Sequence, residues 1–314
     1  MHPQEVVESW RHLLRLPREV VNLMDSKHCK KLCSTSAKPK LDTASKLIMP
    51  ELSAASKSAS PEPCLEPKSA SLEPNAAAPT LGYVHSIDTC GMVDGPGIRY
   101  LVFLSGCKLK CKYCHNPDTQ RFNTGTIMTV NEIVKDIKLY RSYLKFSGGG
   151  VTVTGGDPLA QPAFLEALLV KCKEEGFHTA IDTAGYATAS VVGRVLAHTD
   201  LVLLDIKSIN AKTYKYVTNV SLDPTLDTLR ISQKMGVDVW VRFVLVPGLT
   251  DDVSDMYKMA EFLAPFDNVT KIDVIPFHKT GEYKWRDLNL DYELWDTPAP
   301  SQELLSLAQG ILAK

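Results

Sequence analysis

The sequence predicts an α/β fold in which parallel strands form either a doubly wound sheet or a barrel. Short β-branched runs, bounded by Gly, Pro or Asp, alternate along the chain with segments whose apolar residues recur at helical spacing. Repeated strand–helix units imply parallel strands joined by right-handed crossovers. Six such units are present, two short of a full eight-fold barrel.

The elements follow in order from residue 82 onward. A capping box, Thr129 with Glu132, marks one helix, and a later helix begins at Pro162 and ends at Gly176. In either architecture, ligands bind at the carboxyl ends of the strands. The predicted strands are residues 100–105, 151–154, 178–182, 201–205, 239–246 and 271–276.

Residues 1–80 are predicted to lie outside this domain, which we assign to residues 81–314. From Ser34 to Thr80 the chain is dominated by Ser, Ala, Pro and Lys, so it cannot bury enough apolar surface to order itself. Two interpretations stay open, a disordered tail and an organelle transit segment. The expected location is the cytoplasm or, with a transit segment, the chloroplast or mitochondrion.

Charge and hydropathy exclude some classes of partner. Lys and Arg number 35 against 36 Asp and Glu, a net charge of -1, which gives no global field toward nucleic acid or an anionic membrane. No apolar run approaches the roughly 20 residues that span a bilayer. Eight cysteines in a chain expected to be intracellular favour metal or redox chemistry over a disulfide framework.

Three of the cysteines are clustered on a loop at the carboxyl edge. Cys107, Cys111 and Cys114 are one thiolate short of the tetrahedral set that structural zinc prefers, and the adjacent His115 is poorly placed to complete it. A four-iron cluster held by three cysteines leaves one iron open. The spacing therefore predicts a 4Fe-4S cluster that binds S-adenosylmethionine and cleaves it to a 5'-deoxyadenosyl radical, in preference to zinc or a plain redox thiol.

Neighbouring residues have simpler interpretations. Cys172 fits a buried helix face, and Cys90 is expected to pack rather than to bind metal. Lysines 108, 110 and 112 interleave with the cysteines. They either guide an acidic electron carrier or form a solvated loop.

With the motifs around the triad, the sequence resembles a known family, the activating enzymes of glycyl radical proteins. The resemblance runs from about residue 82 to the C-terminus. It implies a partial (β/α)6 TIM-like barrel and radical chemistry that needs no acid–base residue. The matching blocks, in order, are residues 87–99 (IDTCGMVDGPGIR), 113–118 (YCHNPD), 146–152 (FSGGGVT), 182–185 (DTAG), 204–207 (LDIK), 241–248 (VRFVLVPG) and 275–278 (IPFH).

The resemblance also implies contacts to the cofactor, position by position. The glycines after the second strand bring backbone close to the methionyl amino group, where a side chain would block the approach. Asp157 stands where the family usually has Glu. Asp205 and Lys207 suit a methionyl zwitterion. The implied contacts are Tyr113, Asn116, Gly155, Gly156, Asp157, Asp182, Asp205, Lys207 and, near the ribose and adenine, Arg242, Val244 and His278.

Two further sites follow from the resemblance. One is a monovalent-cation site for Na⁺ or K⁺, an oxygen cluster suited to a hard ion, formed by Asp182, Thr183, Asp205 and the backbone of Leu203. The other is the loop of Asp94, Gly95, Pro96 and Gly97, which is similar to the family's contact with the glycine-bearing loop of its protein substrate. A tight turn before the first barrel strand explains the same four residues.

The implied function is activation of pyruvate formate-lyase. A reduced flavodoxin or ferredoxin supplies one electron, and the adenosyl radical abstracts a hydrogen from a backbone glycine of that protein. Several relatives that activate other glycyl radical enzymes insert a cysteine-rich region after the triad, whereas residues 115–151 contain no cysteine. An activator of another glycyl radical enzyme is one alternative, and a non-catalytic metal-binding interaction module is the second. We expect a monomer without nucleic-acid or membrane partners.

Overall fold

The computed structural model describes residues 80–313. Residues 1–79, which we interpret as a tail or a transit segment, lie outside the described residues. The strands are β1 Leu81–Gly91, β2 Arg99–Leu104, β3 Thr126–Thr129, β4 Gly150–Gly155, β5 His178–Thr183, β6 Leu201–Asp205, β7 Asp238–Leu245 and β8 Val269–Pro276. They form one sheet in the order β3-β1-β2-β4-β5-β6-β7-β8.

Helices follow most of these strands. In the described part of the chain they are α1 Val130–Leu139, α2 Arg141–Phe146, α3 Pro162–Glu174, α4 Ala189–Leu196, α5 Ala211–Thr218, α6 Asp223–Met235, α7 Val253–Leu263, α8 Glu282–Asp287 and α9 Gln302–Ile311. The capping box of Thr129 and Glu132 is present at α1, and α3 begins at Pro162 as predicted. None of the helices within residues 80–313 is long and apolar enough to cross a membrane.

Six strands form the parallel part of the sheet. β2 pairs with β4 in parallel, and parallel pairing continues without interruption from β4 to β8. β3 and β8 are the two edges, so the sheet is open. The predicted partial (β/α)6 barrel is confirmed. Two antiparallel strands, β1 and β3, were not predicted, and they extend the sheet beyond β2.

The two faces of the parallel strands differ in chemistry. Val153, Ile181, Val202 and Val241 belong to the main hydrophobic core, which the helices cover. Because side chains alternate along a strand, the residues between them face the inside of the barrel. That inner face is polar, since it carries Thr152, Thr154, Asp182, Asp205 and Arg242. Polar groups on a concave inner face favour a ligand site there.

Two cysteines outside the triad test the packing predictions. Cys172 on α3 is fully buried in the main core, as predicted. Cys90 lies near the end of β1 and is exposed. The prediction that Cys90 packs rather than binds metal is wrong as regards packing, because the Cys90 side chain is exposed to solvent.

Candidate active site

The three clustered cysteines lie on the segment between β2 and β3, residues 106–120, which we call the cysteine loop. Its two ends are tied together, because the Gly106 N–H donates to the Thr119 carbonyl at 2.7 Å and the Cys107 N–H to the Gln120 carbonyl at 3.2 Å. Its middle is tied to α5, where the backbone N–H groups of residues 110 and 112 donate to carbonyls 218 and 217. The loop is thus held at the carboxyl edge of the barrel.

The three thiols are close and shielded from water. Cys107 is buried, Cys111 and Cys114 are half-buried, and all three are free. Burial raises the pKa of each thiol, that of Cys111 to about 12. Cys111 and Cys114 raise the pKa of Cys107 further, and Cys114 raises that of Cys111. Three buried thiols become thiolates only when a positive metal centre offsets the cost of burying their charge. The donor set therefore fits an iron–sulfur cluster.

A single metal ion does not fit as well. Within residues 80–313, no three His, Cys, Asp or Glu side chains lie close enough together to hold one ion. The His115 Nε2 atom is 2.9 Å from the His278 carbonyl, and the two histidine rings are in contact, tilted by 47° with their centres 4.2 Å apart. His115 is therefore directed toward the C-terminal segment. The geometry disfavours the zinc interpretation, because zinc needs its ligands to converge at about 2.0–2.3 Å.

Helix α8 holds the far side of the cysteine loop. Trp285 Nε1–H donates to the Cys114 carbonyl at 2.8 Å. Lys284 Nζ donates to Asn116 Oδ1 at 2.9 Å and lies 3.0 Å from the Asp118 carboxylate. Burial would raise the pKa of Asp118, but hydrogen bonds from His85 and Lys284 hold it at about 2. Asn116, implied as a cofactor contact, is thus fixed by α8.

Gly155, at the end of β4, packs against the end of β2, and Gly156 packs against the cysteine loop. A Cβ on Gly155 would lie 2.2 Å from the Leu104 carbonyl oxygen. A Cβ on Gly156 would lie 2.4 Å from the Gly106 carbonyl oxygen and 2.7 Å from that of Thr119. Close backbone packing therefore requires both glycines, a reason that is separate from ligand approach.

Asp157 joins the ends of β4 and β5. Its Oδ1 accepts from the Leu159 N–H at 2.9 Å and from the Thr183 hydroxyl at 2.8 Å, and its Oδ2 accepts from the Ala184 N–H at 3.0 Å. Burial raises the pKa of Asp157 to about 6 against these hydrogen bonds. Both carboxylate oxygens are occupied by the protein's own donors. Asp157 and Thr183 are therefore hydrogen-bonded to each other, although the resemblance assigns them to two different sites.

A charged network crosses the inner face. Arg242 Nη1 lies 3.0 Å from Asp182 Oδ2 and 3.5 Å from Asp94 Oδ1, and the Thr154 hydroxyl donates to Asp182 Oδ2 at 2.9 Å. Asp182 is the main cause of the raised pKa of Arg242, whereas burial raises the pKa of Asp182. Among the described residues, Asp182 Oδ1 is a buried atom without a hydrogen-bond partner. Such an atom calls for a ligand or water.

A second charged pair lies beside the cysteines. Lys207 Nζ is 2.6 Å from Asp205 Oδ2 and 5.8 Å from the centre of the Tyr113 ring. Burial would lower the pKa of Lys207, but Asp205 raises it well above its ordinary value. The Tyr113 hydroxyl is also buried without a partner among residues 80–313. Tyr113, Asp205 and Lys207 thus form one polar group near Cys111.

Other implied contacts lie further from this centre. Val244 packs in a second hydrophobic cluster with Tyr113, and Leu203 is buried in β6 beside Asp182. His278 is exposed and contacts His115 and Thr280. The structure therefore joins His278 to the cysteine loop through His115.

The 94–97 loop stands apart in topology. It precedes β2 and so lies at the amino end of that strand, opposite to the cysteine loop. Asp94 nevertheless extends inward, because its carboxylate contacts Arg242 and its carbonyl accepts from the Thr152 hydroxyl at 2.7 Å. The loop is thus connected to the polar inner face.

The lysines of the cysteine loop differ in their contacts. Lys112 pairs with Glu293 and lies over the Tyr216 ring, and Lys110 donates to the Gln120 side chain at 3.1 Å. Lys108 is exposed. Two of the three ammonium groups are therefore engaged within the protein.

The fold and the three-cysteine loop over a polar barrel interior define a class of enzyme, and comparison with known families agrees. Residues 101–262 match the model of the Radical SAM superfamily, and the chain belongs to that superfamily. It is a radical S-adenosylmethionine enzyme, a class that uses a 4Fe-4S cluster and S-adenosylmethionine. Within the superfamily its family is that of the pyruvate formate-lyase-activating enzymes, which confirms the resemblance seen in the sequence.

The relatives that support this assignment match most of the described part. The pyruvate formate-lyase-activating enzyme of Clostridium pasteurianum is 46% identical over 223 residues, 71% of this chain and 93% of that protein. The enzyme of the same name from Listeria monocytogenes is 41% identical over 74% of this chain and 96% of its own length. Streptococcus suis SuiB, solved with the precursor peptide SuiA, shares the fold alone, with a TM-score of 0.50, 16% identity and coverage of 62% of this chain and 45% of that one.

Sequence reasoning missed the groups that hold the cysteine loop. Lys284 and Trp285 act from 166 to 171 positions away along the chain, and no local pattern marks them. Thr154 ends the predicted strand 151–154, and its place on the inner face could have been found from strand alternation.

Proposed function

We propose that this enzyme activates pyruvate formate-lyase by generating a radical on one of its backbone glycines. The observation that supports this most strongly is 46% identity over nearly the whole length of a pyruvate formate-lyase-activating enzyme, together with a cysteine loop beside a polar barrel interior. The proposal goes beyond the superfamily, because the superfamily alone leaves the substrate open.

The three thiolates of Cys107, Cys111 and Cys114 hold the cluster. A 4Fe-4S cluster bound there would supply the electron for reductive cleavage of S-adenosylmethionine to methionine, and the hydrogen taken from the glycine would end in 5'-deoxyadenosine. The chain's own part is to exclude water and to fix the groups around the reacting atoms. The tied ends of the cysteine loop and the α8 contacts support that role.

Inner-face residues bind the cofactor in this proposal. Asp205 and Lys207 match the two charges of a methionyl zwitterion, and the partnerless Tyr113 hydroxyl lies beside them. Arg242 is charged and faces the same interior. Asn116, Val244 and His278 complete the outer part of the site, whereas Gly155, Gly156 and Asp157 shape its floor.

The proposal includes a monovalent cation, Na⁺ or K⁺, beside Asp182. Its support is the buried Asp182 Oδ1 atom, which has no partner in the described part of the chain, and the neighbouring Asp205 carboxylate, which acts on Asp182 as a like charge. A cation between two carboxylates would offset that repulsion. The Leu203 backbone and Thr183 would supply the other oxygens.

The protein partners are also proposals. The 94–97 loop contacts the glycine-bearing loop of pyruvate formate-lyase, and a reduced flavodoxin or ferredoxin delivers the electron near the exposed Lys108. We expect the enzyme to act as a monomer. Its location, cytoplasm or organelle, depends on the fate of residues 1–80.

Anaerobic reconstitution tests the proposal. With iron, sulfide, dithionite and S-adenosylmethionine, the wild type should release 5'-deoxyadenosine and hold about four irons, as a four-iron cluster requires. Cys111→Ala should lose both, whereas the control Cys90→Ser, an exposed cysteine outside the loop, should keep both. An intact cofactor after reduction, or a Cys111→Ala variant with full iron content, would exclude the radical mechanism.

The partner is tested by adding pyruvate formate-lyase to the active enzyme. A glycyl radical signal in electron paramagnetic resonance is expected. A signal with another glycyl radical enzyme, and none with pyruvate formate-lyase, would make the chain an activator of that enzyme instead. Metal binding without cleavage of S-adenosylmethionine would instead favour the alternative of a non-catalytic metal-binding interaction module.

A further inference from the structure

Arg99, the first residue of β2, is fully buried, with a relative exposure of 0%. Its Nε donates to the Thr152 hydroxyl at 2.9 Å and its Nη2 to the Val151 carbonyl at 2.6 Å. Its Nη1 lies 3.2 Å from His178 Nδ1 and 3.5 Å from the Pro96 carbonyl. Burial lowers the pKa of Arg99 to about 10, so the side chain stays charged at neutral pH. Burying a guanidinium is costly, which indicates a specific task.

Arg99 reaches the 94–97 loop directly at the Pro96 carbonyl and indirectly through the Thr152 hydroxyl. The Thr152 hydroxyl accepts a hydrogen bond from Arg99 and donates one to the Asp94 carbonyl at 2.7 Å, so the hydroxyl bridges Arg99 and the loop. A Cβ on Gly95 would lie 3.1 Å from Arg99 Nε, and Gly95 has a φ of +128°, so the backbone of the loop rests on the guanidinium. A side chain at position 95 would displace the loop from this support.

A tight turn, residues 147–150, supports the other end of the loop. The Ile98 N–H donates to Ser147 Oγ at 3.0 Å, and the Gly150 N–H donates to the Ile98 carbonyl at 3.1 Å. Gly97 has a φ of +63°, and a Cβ there would lie 2.5 Å from the Gly149 nitrogen. Apart from the contact of the Asp94 carboxylate with Arg242, both ends of the loop are held by groups that lie outside the proposed cofactor contacts.

We propose that Arg99 and Thr152 are positioning residues that hold the 94–97 loop ready for the glycine-bearing segment of the protein substrate. The inference rests on the proposed function, in which this loop contacts the partner. A loop that is already ordered loses little conformational freedom when the partner binds, so the partner binds more tightly. Neither side chain touches the reacting atoms, and both act through the loop backbone.

The test uses the reconstituted enzyme and three variants. Thr152→Val removes the hydroxyl at nearly constant volume, and Thr152→Ser keeps it. Arg99→Lys keeps the positive charge but replaces the guanidinium with an ammonium, which has fewer hydrogen-bond donors. For each variant, three quantities are measured: 5'-deoxyadenosine formation without partner, KM and kcat for the glycyl radical on pyruvate formate-lyase, and amide hydrogen exchange of residues 92–98. Cleavage of S-adenosylmethionine in the same sample measures how much of the enzyme is folded and loaded with the cluster.

Thr152→Val and Arg99→Lys should keep cofactor cleavage within about twofold of the wild type. Both should raise KM for pyruvate formate-lyase about tenfold, because about one hydrogen bond that orders the loop is lost. The amides of residues 92–98 should exchange faster for the same reason. Thr152→Ser should return KM to within about threefold of the wild type. A merely structural defect would lower cofactor cleavage and radical formation together and would leave KM unchanged.

Two results overturn the inference separately from the proposed function. If Thr152→Val shows the same KM and the same amide exchange as an active wild type, the inference is overturned and the proposed function is not affected. A wild type that cleaves the cofactor but forms no radical on pyruvate formate-lyase would overturn the proposed function and the inference with it. If Arg99→Lys does not fold, the Thr152→Val and Thr152→Ser pair decides the result.

Discussion

Asp157 differs from the glutamate that the resembled family usually has at this position, and the structure shows what the shorter side chain does. Its two oxygens accept hydrogen bonds from Leu159, Thr183 and Ala184. These bonds tie the end of β4 to the end of β5, beside the cysteine loop. An aspartate reaches these donors without a longer side chain, so its first role is to hold two strand ends together.

Asp157→Ala should lower the free energy of unfolding by about 2–5 kcal/mol, because two buried backbone N–H groups and a hydroxyl lose their acceptor. Asp157→Asn keeps one oxygen acceptor and should lose less. Anaerobic urea unfolding of the holoenzyme measures both variants. Equal stability of Asp157→Ala and the wild type would mean that these hydrogen bonds contribute nothing.

His178 predicts a pH dependence of stability. Burial, with Arg99 as the second cause, lowers the pKa of His178 below 6.5, its ordinary value. As the pH falls below that value, the unfolded chain takes up a proton that the folded protein refuses. The stability that the neutral ring contributes is present above pH 6.5 and is lost as the pH falls through the lowered pKa.

The free energy of unfolding should therefore fall between pH 7.5 and 5.5, and His178→Asn should reduce that fall. The asparagine oxygen replaces Nδ1 as the acceptor for Arg99 but does not titrate. Urea unfolding at both pH values isolates the contribution of His178 from other histidines. The same fall in both proteins would contradict the assignment.

Prediction from sequence reached the residues whose chemistry is local and missed those whose partners are distant. Cys107, Cys111 and Cys114 stand within one loop, so their spacing alone indicates a metal cluster. Arg99 appears in the sequence as one basic residue in a strand. Its task depends on Thr152 and His178, which lie 53 and 79 positions away, and no local pattern contains that pairing.

At the scale of elements, the turn after β4 and the cysteine loop fit each other through backbone. Gly156→Ala would place a methyl group 2.4 Å from the Gly106 carbonyl oxygen, so one of the two loops must move. We expect lower stability and loss of bound iron. Gly193→Ala on α4 is the matched control, because its Cβ meets no atom within 4 Å.

Gly193→Ala should raise the free energy of unfolding by about 0.5–1 kcal/mol through helix propensity, and it should bind a full complement of iron. Iron analysis and thermal unfolding of the two variants give the comparison. Full iron binding by Gly156→Ala would show that the cysteine loop does not depend on this packing.

Helix α8 predicts how tightly the cluster is retained. Lys284→Met removes the hydrogen bonds to Asn116 and Asp118, and Trp285→Phe removes the one to the Cys114 carbonyl. The freed loop should lose iron to a chelator several-fold faster, since each bond contributes about 1 kcal/mol. Lys258→Met, at an exposed ion pair on α7, is the control and should lose iron at the wild-type rate. Equal rates in all four proteins would exclude a holding role for α8.

The six parallel strands were predictable because each is a short β-branched run followed by a helical pattern. β1 and β3 were not, since β1 alternates partly buried with exposed residues and β3 has only four residues, none of them fully buried. Their pairing depends on contact with β2 and with each other, which is set by the whole sheet. The capping box at α1 was predictable because both partners lie within one turn.

At the scale of the molecule, one arrangement joins the observations. Parallel strands bring the cysteine loop and the groups of Asp182, Asp205 and Arg242 to one side of an open barrel whose outer face is apolar. The 94–97 loop extends to the same interior from the opposite strand ends through Asp94 and Arg242. A cofactor bound inside would therefore have the metal ligands on one side and the proposed partner loop on the other.

The measurement that tests this account most directly uses pyruvate formate-lyase deuterated at the α-carbon of its glycines. The reduced, cluster-loaded enzyme and S-adenosylmethionine are added, followed by electron paramagnetic resonance and mass analysis of the 5'-deoxyadenosine. We expect a glycyl radical signal and deuterium in the 5'-deoxyadenosine, because the label is taken from the partner's backbone. Cofactor cleavage with neither a radical on the partner nor deuterium in the product would contradict it.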